Sequence, residues 1–434
     1  MKRINVILFS LSVVFTNFSQ AQCPTEDVFY SEQTELNQFK TKYPDCKVLA
    51  HTIHVDGLDV FDLSPLSSLT QVKNLEILET SVTNFKGLEN LVKVTGDITI
   101  EFNDYLVSID QLEKISGVVD EVSIVSNPLI KTLPFNKITK VNNNVIIQGN
   151  LALKNINSFA GIQSVGKDIV ISDNLSLSTI EGLKGVSGSV DKIQITINPF
   201  LYSLNCFEKL TTINEKLVIS RNERLENINS LASLTRVKGD IVIDKNWNLL
   251  NIEGLKNIEG EVNNLRISKN ASLVNIGGLT KLKTVNQTMT VFNNPKLKNL
   301  NNFKSLTSVK GELILVNNIT MSDISGVDNL EGILGILEIK KNTALKEING
   351  FNKIKIIDGH LTIYRNKNLV KITGFKILES VSGDTEIMEN PLLEQLDMLD
   401  IITTKSNDFK IKNNNPLLTP LAKENEINNF DVEY

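Results

Sequence analysis

One asparagine recurs along most of this chain at an almost constant interval. The pattern around it is aliphatic, any residue, aliphatic, two residues, asparagine, two residues, aliphatic, and successive asparagines lie 24 residues apart with one interval of 23. A fixed period of this length predicts one structural unit copied end to end, because each unit buries its apolar side only against its neighbours. The recurring residues are Asn103, Asn127, Asn150, Asn174, Asn198, Asn222, Asn246, Asn270, Asn294, Asn318, Asn342, Asn366, Asn390 and Asn414.

The segment 217–240 shows the full unit. Leu217 and Ile219 are separated by one residue, which predicts a short strand with both side chains pointing inward. Apolar residues then follow at three-residue spacing, which excludes a long helix. Glycine recurs eight residues after the asparagine, as at Gly254, and glycine, asparagine or aspartate recurs seven residues before it, as at Gly239. We expect both positions to be turns whose residues tolerate positive φ.

Together these features predict an all-β protein, a right-handed β-solenoid of about 16 coils. Its strands, from Ile53 to Phe409, are expected to stack into a parallel sheet at ~4.8 Å per coil. The asparagines are expected to be structural. Stacked amides donate and accept, so they can bond each other and the backbone groups of a buried turn. Replacing Asn222 with alanine should therefore cost about 1–3 kcal/mol.

The first 21 residues are predicted to be a signal peptide. Lys2 and Arg3 precede a mostly apolar run at 6–15 that is too short to span a bilayer, and Ser19 and Ala21 supply small residues before a cleavage site. The mature chain is then secreted or at the cell surface. Acylation of Cys23 is the alternative, although the flanking glutamines do not suit it.

Residues 22–47 are predicted to form an N-terminal cap. Export permits disulfides, and Cys23 and Cys46 enclose one compact segment, which makes them the simplest pair. Leu36, Phe39 and Tyr43 lie at helical spacing between the two cysteines. The solenoid is expected to occupy 48–421, and residues 422–434 form a polar tail.

Several segments resemble the receptor L domain, a β-helical module similar to leucine-rich repeats. The resemblance rests on Gly239–Asn246 with Leu249, Ile252 and Glu253–Leu255, and on Asp62–Leu69 near the start, and it extends over nearly all of 46–421. It implies a leucine-rich-repeat-like fold. Two features differ: the repeats run without the cysteine-rich regions that alternate with receptor modules, and the next leucine follows the asparagine after three residues, whereas in ordinary leucine-rich repeats it follows after two. Receptor signalling is not implied, since we find no transmembrane segment and no kinase.

Composition gives little support to catalysis, metals or cofactors. Three histidines and three cysteines are few for a metal centre, and we expect no cofactor. Cys206 lies eight residues after the asparagine of its coil, as Gly254 does in another coil. The need for a small side chain at this position explains the cysteine without a nucleophilic role. A formal charge of −5 argues against nucleic acid as the main partner.

A polysaccharide-acting β-helix enzyme is the catalytic alternative. Glu338 and Glu386 occupy the same outward strand position two coils apart, which corresponds to ~9.6 Å. That separation is close to the ~6.5–9.5 Å of inverting glycosidases. Glutamate is also a common solvated strand residue, and no long insertion is present to build a cleft. We therefore predict that the protein is not an enzyme.

The outward strand positions of five neighbouring coils predict a binding surface. They place apolar and aromatic residues together, namely Phe292, Ile314, Val316, Tyr364 and Met388. Such a patch typically marks a partner site for a protein or glycan. The simpler explanation is that these residue types favour strands, as Val170, Val218 and Val242 suggest. A non-catalytic binding solenoid is the leading prediction, and a structural envelope or adhesion protein is the alternative.

Overall fold

Seventeen parallel strands stack in chain order into one main sheet. The computed structural model describes residues 23–416 and 418. An eighteenth strand, Arg236–Val237, joins the sheet through the first half of the long strand Lys209–Ser220. The seventeen are Val28–Tyr30, Ile53–Asp56, Leu75–Leu78, Ile98–Glu101, Val122–Val125, Val145–Gln148, Asp168–Ser172, Ser187–Thr196, Lys209–Ser220, Asp240–Asp244, Leu265–Ser268, Met289–Phe292, Glu312–Val316, Ile336–Lys340, Leu361–Tyr364, Thr385–Met388 and Phe409–Lys412.

The all-β solenoid predicted from the period is confirmed. The sixteen strands expected from Ile53 to Phe409 are all present, and Val28–Tyr30 precedes them in the same sheet. Paired residues of neighbouring coils are 24 apart over most of the stack, as for Ile241 and Leu265. At ~4.8 Å per strand, the main sheet extends over about 77 Å.

A second strand row is formed by segments that shortly precede the main strands, and it is divided into groups of three strands. The first strands of four successive groups contain the glycines Gly117, Gly188, Gly260 and Gly332, all with φ between +80° and +88°. These glycines are 71, 72 and 72 residues apart. Three coils of the asparagine repeat therefore form one larger unit that also recurs along the solenoid.

The bounds of this second row are Val48–Leu49, Gln71–Val72, Lys93–Val94, Ser116–Val119, Lys137–Val141, Ser164–Val165, the first halves of Ser187–Thr196 and Lys209–Ser220, then Arg236–Val237, Glu259–Val262, Lys281–Val285, Ser308–Val309, Glu331–Leu334, Lys353–Ile357 and Ser380–Val381. Short turns of 3-10 helix and isolated bridges complete the coils. These helices are Ser64–Leu66, Asp110–Leu112, Asn157–Gly161, Glu181–Gly185, Asn229–Leu231, Glu253–Leu255, Gly277–Leu279 and Ser325–Val327, and three further short strands are Glu347–Ile348, Lys371–Ile372 and Gln395–Leu396.

One hydrophobic core runs the length of the stack, from Leu36 to Leu418. Each coil adds inward leucine, isoleucine and valine side chains to those of its neighbours. Phenylalanines stack between successive coils, with ring centroids 6.0 Å apart for Phe135 and Phe159. The core therefore grows along one axis, which is how a chain of 434 residues avoids dividing into separate globular cores.

Both ends of the described solenoid carry an α-helix. The first, Gln33–Lys42, buries Leu36 and Phe39 against the opening coils, and the predicted Cys23–Cys46 disulfide is present beside it. The second, Leu399–Lys405, packs near Ser380–Val381. The predicted signal peptide at 1–21 and polar tail at 422–434 lie outside the described residues and remain predictions.

The recurring asparagines lie in the core and bridge the coils. Asn246 is fully buried, and its Nδ2 donates to the carbonyl oxygen of Ile219 at 2.8 Å. Its Oδ1 accepts from the backbone N–H of Asn222 at 3.1 Å. Equivalent bonds recur along the row, so each amide satisfies buried backbone groups that water cannot reach. Asn414, the last of the row, is half-buried.

The expectation that the recurring glycines occupy positive-φ turns is wrong. Gly254 and Gly239 do not have positive φ; the left-handed residue of each coil is instead the one before the asparagine, for example Lys245 at +56°. The glycines are required by close packing of the coils. A Cβ on Gly254 would lie 1.8 Å from the carbonyl oxygen of Ile228 in the preceding coil.

Candidate functional site

The five predicted binding residues lie together on the outward side of the main sheet. We call Phe292, Ile314, Val316, Tyr364 and Met388 the sheet patch. Phe292 is paired with Val316, and Tyr364 with Met388, across neighbouring strands. All five side chains are half-buried, because side chains on adjacent strands cover one another. The structure thus brings the predicted residues onto one surface, and their role in binding remains a proposal.

An ion pair divides the sheet patch into two apolar clusters. Lys340 lies between Val316 and Tyr364 in the same column, and its Nζ is 2.8 Å from Glu338 Oε1. Phe292, Ile314 and Val316 form the cluster on one side, and Tyr364 and Met388 form the cluster on the other. The surface therefore presents two apolar clusters separated by one lysine–glutamate ion pair.

Cations cover the aromatic rings of the sheet patch. Lys269 Nζ lies 5.7 Å from the ring centre of Phe292, and the Arg365 guanidinium lies 4.8 Å from that of Tyr364. Arg365 also pairs with Glu389, and this hydrogen bond lowers the pKa of the Glu389 carboxyl. Tyr364 donates its hydroxyl proton to Glu389 at 3.1 Å. The patch is therefore bordered by two basic groups, of which Arg365 already has a carboxylate partner.

The two carboxylates considered for catalysis are both engaged by lysines. Glu338 and Glu386 flank Thr362 in one outward column, as the period predicted. Glu338 pairs with Lys340, and Glu386 is 3.4 Å from Lys410 Nζ. Each carboxylate therefore faces an ammonium on the open outward side of the sheet.

A second surface, which the sequence analysis missed, lies at the turn after the main strands. We call Phe200, Tyr202, Trp247 and Leu250 the aromatic ridge; their side chains are 45–51% exposed. The Arg224 guanidinium lies 4.3 Å from the ring centre of Phe200. Tyr202, Glu226 and Leu250 occupy the same position in three successive coils. The backbone N–H of Glu226 donates to the carbonyl oxygen of Tyr202. The aromatic ridge therefore presents three exposed aromatic rings and one exposed leucine within three successive coils.

The aromatic ridge could have been found from the period. Its residues follow the recurring asparagine by one, two or four positions. Other coils also place exposed apolar side chains immediately after the asparagine, at Tyr105, Leu129, Leu151, Leu175, Ile319 and Leu392. Their recurrence one or two positions after the asparagine in many coils indicates that this part of the coil faces outward.

Cys206 is fully buried, and the structure gives it no exposed face for chemistry. Burial raises the pKa of its thiol well above the ordinary value, with Glu208 and Glu181 adding to the effect. We expect Ellman's reagent to label no thiol of the native protein and one thiol per chain in denaturant. Stoichiometric labelling without denaturant would contradict this burial.

The three histidines are each close to acidic side chains. His54 Nδ1 lies 2.7 Å from Glu76 Oε2, whereas His51 and His360 are 3.8–3.9 Å from Asp27 and Asp384. Over 23–416 and 418, no group of three or more histidine, cysteine, aspartate and glutamate side chains could hold a metal ion. Among those same residues, no helix is both long and apolar enough to cross a membrane.

Comparison with known families finds one match, in the C-terminal part of the chain. A family model described as the receptor L domain matches residues 328–430. This segment contains the coils of Tyr364 and Met388. No curated protein matches the chain. The family model therefore matches part of the solenoid. The architecture of the other coils is shown by the stacking of their strands.

Three of the solved structures similar to this chain are the following. An internalin (inlF) from Listeria monocytogenes is 14% identical, with 87% of this chain and 88% of that chain covered and a TM-score of 0.31. A leucine-rich repeat protein from Bacteroides ovatus is 13% identical, with 76% and 88% covered and a TM-score of 0.21. The TLR13–ssRNA13 complex is 11% identical, with 85% and 77% covered and a TM-score of 0.17.

Proposed function

We propose that the protein is a secreted or cell-surface binding solenoid, without catalytic activity, that recognises a protein or glycan through the outward side of its main sheet. The receptor L domain fold matched at 328–430 is typical of binding proteins. The Cys23–Cys46 disulfide is compatible with an oxidising, extracellular location. The predicted signal peptide supports the same location.

The observation that carries this proposal is the sheet patch. Outward positions on a solvated sheet are commonly polar, yet here five apolar or aromatic side chains lie within five successive coils. Apolar side chains surrounded by charged groups are the usual centre of a binding surface, where water is displaced from the rings and methyl groups. Charges at Lys269, Glu338, Lys340 and Arg365 would orient the ligand.

We expect Phe292→Ala combined with Ile314→Ala to weaken ligand capture by about tenfold or more while leaving the fold intact, since two central apolar contacts are lost. The mature chain would first be screened on a glycan and protein array, and the affinity of the retained ligand would then be measured for the variant. Circular dichroism would check the fold.

The matched control is Val218→Ala with Val242→Ala, which truncates outward aliphatic side chains of the same sheet outside the sheet patch. Equal affinity of the patch variant and wild type would reject the sheet patch. A Phe200→Ala and Trp247→Ala variant tests the aromatic ridge. Loss of binding in that variant alone would place recognition on the ridge.

A structural envelope or adhesion component is the second proposal. Its support is the continuous core and the unbroken main sheet, which make an extended and stiff element. Retention of no ligand on the array would favour this function. Catalysis on polysaccharide is the weakest proposal, and a cleavage screen with Glu386→Gln as the control addresses it; cleavage by wild type that the variant loses would establish an enzyme.

A further inference from the structure

A groove crosses the second strand row on a different side of each coil from the main sheet. It has a volume of about 680 Å³. Arg236 and Lys238 line it from one coil, Glu259 and Glu261 from the next, and Lys281 and Lys283 from the coil after that. We call these six side chains the basic groove.

The basic groove exists because of a feature of the three-coil unit. Gly260 lies on its floor with φ of +82°, and a Cβ there would meet no atom within 4 Å. Gly260 is paired with Leu282, and Glu261 is paired with Thr284, so Lys283 is an extra residue without a strand partner. The missing side chain at Gly260 and the irregular pairing at Lys283 leave open space between the flanking side chains.

The cations of the basic groove are available to a ligand. None of the four forms an ion pair with a carboxylate in the part of the chain that the structure describes. All four residues are exposed, and Lys281 Nζ donates to the neutral Asn257 side chain at 2.9 Å. Four cations and two carboxylates give the groove a local charge of +2 within a chain of formal charge −5. Anions are therefore attracted to this place on an otherwise acidic protein.

The basic groove continues into a neutral polar extension. A neighbouring depression of about 360 Å³ shares Arg236, Lys238 and Glu259 with it and adds Ser189, Thr212, Asn214 and Thr235. From Ser189 to Ser305 the lining residues belong to six successive coils, a span of about 24 Å at ~4.8 Å per strand. A depression of this shape suits a linear ligand that lies along the solenoid axis.

We propose that the basic groove binds a linear acidic glycan, one that carries sulfate or carboxylate groups along a hydroxyl-rich chain. The arginine and three lysines would pair with the anionic groups. Serine, threonine and asparagine side chains and the two glutamates would bond sugar hydroxyls. Among the described residues, no aromatic side chain lines either depression, whereas single-stranded nucleic acids are typically held by stacking on aromatic rings. This site is separate from the sheet patch and does not depend on it.

The first test changes charge at constant size. Lys281→Gln with Lys283→Gln is expected to weaken binding of a sulfated or a uronic-acid oligosaccharide by about tenfold or more, because two charge-assisted contacts are lost. The control is Lys137→Gln with Lys140→Gln, which removes two exposed lysines from the corresponding strand of the three-coil unit that begins at Gly117. Binding would be measured by surface plasmon resonance at two salt concentrations.

The second test fills the groove. Asparagine tolerates positive φ, so Gly260→Asn should fold and place a side chain over the floor. It is expected to reduce binding of the acidic oligosaccharides, whereas Gly117→Asn, at φ of +88° and with equally open space, is not. Thermal melting of both variants would confirm that each is folded.

Several results would overturn the proposal. These are equal affinity for a neutral oligosaccharide of the same length, equal loss of affinity in test and control variants, or tighter binding of single-stranded DNA than of either acidic oligosaccharide. The Phe292→Ala and Ile314→Ala variant should bind the acidic oligosaccharides like wild type. Failure of the groove and failure of the sheet patch can therefore be distinguished.

Discussion

Gly254→Ala is expected to lower the free energy of unfolding by about 3 kcal/mol, at the upper end of what overpacking of a close-packed interior costs. The new Cβ would lie 1.8 Å from the carbonyl oxygen of Ile228 and 2.6 Å from its carbonyl carbon. Both atoms belong to the backbone of the preceding coil, so no side-chain rotation can relieve the overlap. The coils themselves would have to separate, which would also weaken the core contacts between them.

Ser230→Ala is the matched control for this glycine. Ser230 occupies the same place in the preceding coil, eight residues after its asparagine, but there a side chain fits. Its buried hydroxyl has no hydrogen-bond partner among the described residues. Removing that hydroxyl is expected to be neutral or stabilising by about 1 kcal/mol. Urea denaturation followed by circular dichroism would measure both variants, and equal stability of Gly254→Ala and wild type would contradict the close approach of the coils.

Asn222→Ala is expected to destabilise the protein by about 1–3 kcal/mol. The Asn222 Nδ2 donates to the carbonyl oxygen of Ile195 at 2.8 Å, and its Oδ1 accepts from the backbone N–H of Asn198 at 3.1 Å. Alanine leaves both backbone groups buried and unpaired, because the side chain is fully inaccessible to water. The effect should lie near the upper end of the range, since two groups lose their partners.

Asn229→Ala provides the comparison, since Asn229 is exposed in the same coil. It should change the urea midpoint little, because an exposed amide keeps its bonds to water in the folded and unfolded states. If the two asparagine variants had the same midpoint, the buried row would contribute nothing to stability. A nearest-neighbour account of repeat proteins also predicts that the Asn222 change weakens mainly the adjoining coils, which hydrogen exchange would detect.

The period alone was enough to predict the stacking of the coils. Leu217 and Ile219 alternate, and the same pair recurs in the next coil as Ile241 and Ile243, so their pairing follows from the interval. The same interval predicted that Phe292 lies beside Val316 and that Tyr364 lies beside Met388. Outward columns are predictable in a solenoid because a strand alternates sides and each coil repeats the previous one.

Features that depend on the distance between coils were not predictable. A sequence does not show whether Gly254 is needed for a positive φ or for the close approach of two coils. Only the position of the Ile228 carbonyl group distinguishes these two reasons. The left-handed residue before each asparagine is seldom glycine, as at Lys245, so composition did not reveal it. Its conformation is maintained by bonds between coils, such as Lys245 N–H to the Ser268 carbonyl at 2.9 Å.

The sequence by itself determined the repeat and the inward and outward faces of the main strands, because these follow from local alternation and a constant interval. It also indicated the disulfide pair, because Cys23 and Cys46 enclose one compact segment. Only the tertiary structure decided how much of each outward side chain is exposed and where grooves open. Exposure at Trp247 and space above Gly260 depend on how neighbouring coils cover each other. The three-coil unit that creates the basic groove includes a register shift between strands more than 20 residues apart, between the pairs Gly260–Leu282 and Glu261–Thr284, which no local pattern specifies.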